Sequence, residues 1–160
     1  MRSYLIDANI LIYFANFCPH DYHKNFWQDL RDKIEKGQIV LIDSIANECK
    51  YPLRLKEWIT DLRKQKLIKA VNENIIDQAQ EINKRFKMIT KDNVGNSRSI
   101  ADTHMIAYAQ EYSLSILSYE SRRRKDQPQM KIPDVCLELN IDCKRYPLDI
   151  MKEVEFIHCS

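Results

Sequence analysis

The chain has very little glycine, with only Gly37 and Gly95 among its 160 residues. A phosphate-binding P-loop and the dinucleotide-binding fingerprint each need several glycines at fixed spacing, so both kinds of site are excluded. Long apolar runs are missing too, because no stretch approaches the ~20 apolar residues of a membrane span. The apolar N-terminal stretch is interrupted by Asp7 and Asn9, and no small-residue cleavage site follows it. These absences predict a cytoplasmic protein.

Neither the cysteine content nor the net charge indicates a particular function. The five cysteines are scattered and form no CxxC pair, which favours reduced, mostly buried thiols. The formal net charge is +2, so any binding of nucleic acid must depend on a local basic patch. A 160-residue chain that is 44% hydrophobic is long enough and apolar enough for one domain, 1–160, with its own core.

Apolar runs alternate with helical periodicity along the chain. The strand-like runs are 4–6, 39–42, 115–118 and 141–143. The helical patterns cover 10–17, 26–34, 55–62, 72–88, 101–112 and 148–155. Gly37 is predicted to end the second helix, Ser44 to cap a short helix, and the polar segment 91–99 to form a loop. This alternation predicts an α/β fold with a mainly parallel sheet between helices.

Four acidic residues occupy special positions in this pattern. Asp7 ends the first strand, Glu48 follows the second and Glu120 follows the third, while Asp102 lies where a strong amphipathic helix is predicted to open. In an open α/β sheet, residues just past the carboxyl ends of strands converge on one crevice. Four carboxylates that close need cations between them, and Mg²⁺ or Mn²⁺ is the usual solution. The placement predicts a metal-dependent hydrolase that acts on phosphates.

Each acid also has a structural explanation of its own. Asp7 could cap the helix that follows it, and Asp102 could complete a capping box that begins at Ser99. Glu48 could be a solvated helix residue, and Glu120 an exposed loop acid. One metal site explains all four together. The 18 residues from Asp102 to Glu120 also suffice for a helix, a turn and a strand that returns to the same edge of the sheet.

Several segments resemble the motifs of PIN-domain nucleases. The sequence LIDANILI at 5–12 resembles their opening motif. Their closing motif is similar to ADTHMIA at 101–107 followed by ILSYE at 116–120, and SIANEC at 44–49 lies where the family has its middle acid. The sequence KIPDVC at 131–136 resembles the tail of a PIN-like bacterial subfamily.

This resemblance implies a PIN-like three-layer α/β/α sandwich and a Mg²⁺- or Mn²⁺-dependent endoribonuclease with one or two ions. It implies RNA as the substrate, the role of toxin in a type II toxin–antitoxin pair, an antitoxin protein as partner, and a possible homodimer. The implied catalytic and metal-binding residues are Asp7, Glu48, Asp102 and Glu120, with Asn9 and Ser118 in support. The family most often has Asp where this chain has Glu120.

Basic residues near the acidic positions are candidates for contacts with RNA phosphates. They are Arg98, Arg122, Arg123 and Arg124. The alternative is a solvated basic loop. Tyr119 offers a ring for base stacking, although a packing role is favoured. His104 is expected to point away from Asp102, because two residues separate them on a helix. Asp134 is a further acid that could lie near the site.

Two alternatives belong to other functional classes. The first is a non-catalytic PIN-like module that binds RNA or protein; acids at all four positions favour catalysis instead. The second is a haloacid-dehalogenase-like phosphatase, since Asp7-Ala8-Asn9 resembles the nucleophile motif of those enzymes. That chemistry needs a second aspartate where this chain has Asn9.

Overall fold

The sheet has four strands that are all parallel. The structure is a computed structural model that describes residues 2–88, 97–126 and 129–153, apart from the side chains of 97–99, 148 and 153. The strands are β1 (Tyr4–Ile6), β2 (Ile39–Val40), β3 (Ser115–Leu117) and β4 (Cys143–Lys144), in the spatial order β2-β1-β3-β4. The predicted α/β fold with a parallel sheet is confirmed.

Eight helices lie within the described ranges. They are α1 (Ala8–Phe17), α2 (Lys24–Glu35), α3 (Asp43–Ala46), α4 (Leu53–Lys64), α5 (Glu73–Phe86), α6 (Ser97–Tyr112), α7 (Ile132–Leu139) and α8 (Pro147–Glu153). The apolar side chains of α2, α4 and α5 recur every three to four residues and are buried, as the periodicity predicts. Gly37 follows α2 with φ of 77°, a left-handed backbone that suits a helix end. No helix in the described ranges is long and apolar enough to cross a membrane.

The two central strands are covered on both faces. In their register Leu5 lies beside Ile116, and Ile6 lies beside Leu117. All four side chains are completely buried, although successive residues of a strand point to opposite faces. Burial on both faces is typical of a parallel sheet between layers of helices.

The chain order places a topological switch point between β1 and β3. The connection that leaves β1 leads to β2 on one side, and the connection that leaves β3 leads to β4 on the other. Right-handed crossovers, which parallel strands adopt almost without exception, then send the two connections to opposite faces of the sheet. A crevice opens between the carboxyl ends of such strands, and ligands bind there in open α/β sheets.

The structure corrects three local predictions. Helix α6 begins at Ser97, so Asp102 lies in its second turn and cannot complete a capping box at Ser99. The polar residues at 97–99 show no apolar periodicity, which is why the sequence pattern predicts a loop there. Ser44 lies inside α3 and does not cap it, because Ile42 is the N-cap. The rest of the predicted loop, 91–96, lies outside the described residues.

Candidate metal centre

Asp7 is the N-cap of α1 and lies at the carboxyl end of β1. Its backbone N–H continues the β1–β3 ladder by donating to the Leu117 carbonyl at 2.9 Å. One carboxylate oxygen accepts the Ala8 N–H at 2.7 Å, and the other accepts the Ser118 hydroxyl at 2.7 Å. The side chain is buried. The helix-cap interpretation is therefore correct, and it does not compete with a ligand role, because each carboxylate oxygen has more than one lone pair.

Asp102 and Glu120 reach the same place from other elements. Asp102 comes from the second turn of α6, and Glu120 lies three residues past the end of β3. One carboxylate oxygen from each of these residues and one from Asp7 all lie within 4.8 Å of one another. Three carboxylates from separate elements thus form a cluster that could hold a metal ion.

Glu48 lines the same cavity, but its carboxylate is not one of the three whose oxygens lie within 4.8 Å of one another. The cavity measures about 230 Å³, and its walls include Asp7, Glu48, Asp102 and Glu120. Glu48 lies in the turn after α3, where its N–H donates to the Ile45 carbonyl at 3.0 Å. The neighbouring Cys49 has its pKa raised to about 12 by burial and by the charges of Glu48 and Asp7. The cavity therefore brings together the four predicted acids.

Hydrogen bonds of Ser118 and Asn9 connect Asp7 to the segment that carries Glu120. The Ser118 hydroxyl donates to Asp7 and accepts the Glu120 N–H at 3.3 Å and the Asn9 amide at 3.4 Å. The Asn9 amide oxygen accepts the Tyr119 N–H at 2.9 Å. Both residues predicted to support the site are thus hydrogen-bonded to the segments that hold the acids.

Burial and a neighbouring negative charge both raise the pKa of Glu120. Its pKa is raised from 4.5 to about 7, first by burial and then by the charge of Asp7. Lys131 and the backbone N–H of Ile132 act in the opposite direction without cancelling the shift. A divalent cation between the carboxylates would reverse this, because opposite charge favours the ionised form. The donor set of carboxylate oxygens fits a hard cation.

The arginines that follow Glu120 are held by a separate acid. Asp134 is buried and accepts the backbone N–H groups of Arg123 and Lys131, each at 3.0 Å. Its other oxygen lies 3.5 Å from Nε of Arg122. Asp134 thus orders the basic segment, a role that its position in the sequence did not reveal. The side chain of Arg98 lies outside the described residues.

Arg122 and Arg124 do not line the acidic cavity. Arg122 lies on a second cavity of about 470 Å³ with residues of α7 and β4. Arg124 lies 3.9 Å from the carboxylate of Asp126, and both side chains are exposed.

His104 faces away from the acidic cavity, as its offset from Asp102 predicts. Its Nδ1 lies 2.8 Å from the Ser44 hydroxyl, and burial lowers its pKa. The imidazole also lines a cavity beside α5. No local sequence pattern predicts this contact, because 60 residues separate its partners.

Comparison with known families adds one finding. A family model described as a domain of unknown function, DUF4411, matches residues 4–157. The chain belongs to the DUF4411 family. Comparisons with curated proteins and with solved structures give no match. The DUF4411 description assigns no activity, so the chemistry of this DUF4411 domain has to be inferred from the cavity itself.

Proposed function

We propose that this DUF4411 domain is a Mg²⁺- or Mn²⁺-dependent endoribonuclease of the PIN-like kind. The observation behind this proposal is that oxygens of Asp7, Asp102 and Glu120 lie within 4.8 Å of one another at the sheet's switch point. Glu48 adds a fourth carboxylate to the same cavity. The order and spacing of these acids resemble those of PIN-domain nucleases, and this resemblance supports RNA as the substrate.

The donor atoms favour a hard cation. Asp7, Asp102 and Glu120 would hold the ion, and Glu48 can bind it directly or through water. Cys49 has its pKa raised to about 12 and stays protonated, so the site offers no thiolate that would favour zinc. When bound, the cation supplies positive charge for the phosphate and lowers the pKa of water.

The remaining polar groups position these ligands. Ser118 orients the carboxylate of Asp7 by donating to it, and Asn9 fixes the backbone next to Glu120 through Tyr119. A hydroxyl that also accepts two hydrogen bonds has its proton directed to one acceptor. The carboxylate of Asp7 and the backbone at Glu120 are therefore held in place before substrate arrives, which lowers the reorganisation needed for reaction.

The cavity size favours a polymer over a small molecule. At about 230 Å³ it is smaller than pockets that enclose drug-sized ligands, which are roughly 300–1,000 Å³. A phosphodiester fits at the carboxylates while the rest of the chain lies outside. The basic segment Arg122–Arg124 lies just past Glu120 and supplies positive charge for neighbouring phosphates.

We also propose that the domain acts in the cytoplasm as the toxin of a toxin–antitoxin pair. An unrestrained nuclease would damage the RNA of its host, so a partner protein that covers the cavity is expected. The basic segment favours an acidic surface on that partner. This part of the proposal depends on the resemblance to PIN-domain toxins. Recovery of an active, partner-free protein from the native host would contradict it.

The decisive experiment is cleavage of a single-stranded RNA by purified protein with Mg²⁺ or Mn²⁺. Asp102→Asn should abolish cleavage and also relieve slow growth when the chain is expressed alone. Glu111→Gln is the matched control, because Glu111 is an exposed acid on the same helix and outside the cavity. It should cleave at the wild-type rate, and chelator should stop both proteins.

Two outcomes would overturn the nuclease proposal. Cleavage that survives in Asp102→Asn would place the activity elsewhere, including in a contaminant. RNA binding by the wild type with no cleavage in either metal would favour the non-catalytic alternative. Release of inorganic phosphate from small monoesters without RNA cleavage would favour the phosphatase.

A further inference from the structure

Three aromatic rings form an exposed stack beside the acidic cavity. The ring of Tyr13 stacks on Phe17 with centroids 4.4 Å apart and planes 30° apart. On its other side Tyr13 stacks on Tyr119, with centroids 5.7 Å apart and planes 28° apart. We call Tyr119, Tyr13 and Phe17 the aromatic ladder. The outer two members are largely exposed, with Tyr119 at 45% and Phe17 at 67%.

The ladder starts at the cavity and leads away from it. Tyr119 is the residue between Ser118 and Glu120, and its N–H donates to Asn9, which lines the cavity. Asn9, Tyr13 and Phe17 follow at four-residue spacing and so share one face of α1. At 1.5 Å per residue, Phe17 lies about 12 Å beyond Asn9 along the helix.

Packing alone explains only the middle of the ladder. Tyr13 contacts the buried Phe14 edge to face, so it covers the core. Phe17 is at the last turn of α1, and its large exposed fraction shows that the core gains little from it. A large exposed apolar surface beside a polar cavity indicates a binding site.

We propose that the exposed rings of the aromatic ladder, Tyr119 and Phe17, stack bases of single-stranded RNA next to the cleaved phosphodiester. This proposal rests on the nuclease function above and adds the surface that holds the bases of its substrate. Aromatic faces bind every base, and unpaired bases alone can leave their neighbours to stack on protein rings. Arg122, Arg123 and Arg124 follow the ladder residue Tyr119 closely in sequence and provide the charge complementary to the phosphates.

The test measures binding separately from cleavage. Affinities of Phe17→Ala and Tyr119→Ala are measured for a fluorescent, unstructured RNA and for a duplex of equal length, with Ca²⁺ in place of Mg²⁺. Each substitution should weaken single-strand binding roughly 5- to 100-fold, the loss expected for one stacked base. Duplex binding should change little, because paired bases cannot reach the rings.

Matched variants separate stacking from other causes. Phe17→Tyr and Tyr119→Phe keep an aromatic face and should bind like the wild type, whereas Phe17→Leu keeps apolar bulk and should lose affinity. Tyr112→Ala is the control for an exposed tyrosine, since Tyr112 is 51% exposed and ends α6, ten residues beyond Asp102. Melting temperatures establish that each variant is folded. Tyr119→Ala retains the backbone N–H that Asn9 accepts.

The outcomes distinguish the ladder from the nuclease. Ladder-dependent RNA binding without cleavage would support the ladder and overturn the nuclease. Cleavage by the wild type with unchanged affinities in the alanine variants would overturn the ladder alone. Equal losses for single-stranded and duplex RNA, full affinity in Phe17→Leu, or no single-strand binding by the wild type would also overturn it. Unchanged RNA affinity with a loss of self-association in sedimentation would make the ladder a contact between protein chains.

Discussion

Ser118 joins three parts of the candidate metal centre through one hydroxyl group. It donates to Asp7 and accepts hydrogen bonds from Glu120 and Asn9. The Ser118 side chain is completely buried, and its hydrogen bond to Asp7 is shielded from water. At this scale the site consists of clustered carboxylates in a partly buried cavity, with Asp7 tied by a neutral hydroxyl to the segment that carries Glu120.

We predict that Glu120 makes the metal-free protein less stable as the pH rises. Its pKa in the fold is about 7, above the ordinary 4.5. The folded state therefore binds more protons than the unfolded state between these values. The contribution of Glu120 to the free energy of unfolding is therefore fully present below pH 4.5. It is lost as the pH rises through 7, by on the order of 3 kcal/mol. Glu120→Gln should remove this loss, as measured by urea unfolding with chelator at pH 5 and pH 8.

The same unfolding experiment includes measurements with Mn²⁺ and a control variant. Mn²⁺ at pH 8 should stabilise the wild type by mass action and Glu120→Gln much less. Glu111→Gln should follow the wild type in both conditions. A wild type whose stability does not respond to millimolar Mn²⁺ would contradict the metal centre. Equal pH dependence in wild type and Glu120→Gln would contradict the role assigned to Glu120.

Glu48 follows α3 and Asp102 lies in α6, and a hydrogen-bonded side-chain pair links these two helices. Ser44 in α3 is hydrogen-bonded to His104 in α6 at 2.8 Å. Glu48 follows the end of α3, and Asp102 lies one half turn before His104. The pair thus connects the elements that determine where these acids lie.

We predict that Ser44 and His104 are energetically coupled. Ser44→Ala and His104→Ala should each lower the free energy of unfolding by about 1 kcal/mol, the usual value for a lost hydrogen bond. The double variant should lose less than the sum, with a coupling of roughly 0.5–3 kcal/mol in a double-mutant cycle. Thr60→Ala is a control, because its hydroxyl bonds only within α4. Additive effects would show that the contact contributes nothing to stability.

On the scale of the whole molecule, acidic and basic groups lie in neighbouring segments of a nearly neutral protein. The acids meet at the switch point between β1 and β3, and the basic segment Arg122–Arg124 begins two residues after Glu120. Asp134 holds that segment by accepting the backbone N–H of Arg123, a contact that remains when the arginine side chains are replaced. The net charge of +2 is too small to attract RNA without such a local patch.

We predict that this patch sets the salt dependence of RNA binding. Replacing Arg122, Arg123 and Arg124 with Ala should reduce the slope of log affinity against log salt by about 1–2, since each phosphate contact on a single strand contributes roughly 0.7. Affinity for all RNA sequences should fall equally, because phosphate contacts carry no sequence information. The measurement is a salt series in Ca²⁺.

The control for this experiment has the same change of charge elsewhere. Lys24, Lys56 and Lys64 are exposed on α2 and α4, and their triple replacement with Ala should leave the slope near its wild-type value. If both triple variants lower the slope equally, the effect comes from net charge and the basic segment has no special role.

Local patterns in the amino-acid sequence suffice to predict the parallel α/β fold and the acids that follow its strands, Asp7 and Glu120. Apolar runs such as Tyr4–Ile6 and the helical stripe of Leu55, Ile59 and Leu62 are local patterns. Asp7 and Glu120 could be placed in one cavity because parallel strands bring their carboxyl ends to one edge. No sequence pattern predicts the start of α6 at Ser97, since polar residues at a helix end carry no periodic signal.

Which distant side chains meet follows from the packing of the helices against the sheet. Tyr119 stacks on Tyr13, Ser44 bonds His104, and Asp134 turns back to hold Arg123, although 11 to more than 100 residues separate these partners. Such contacts depend on how helices pack against the sheet and on which rotamers fit there. Local sequence patterns specify the elements and their exposed faces, whereas packing between the elements fixes the contacts that build the site.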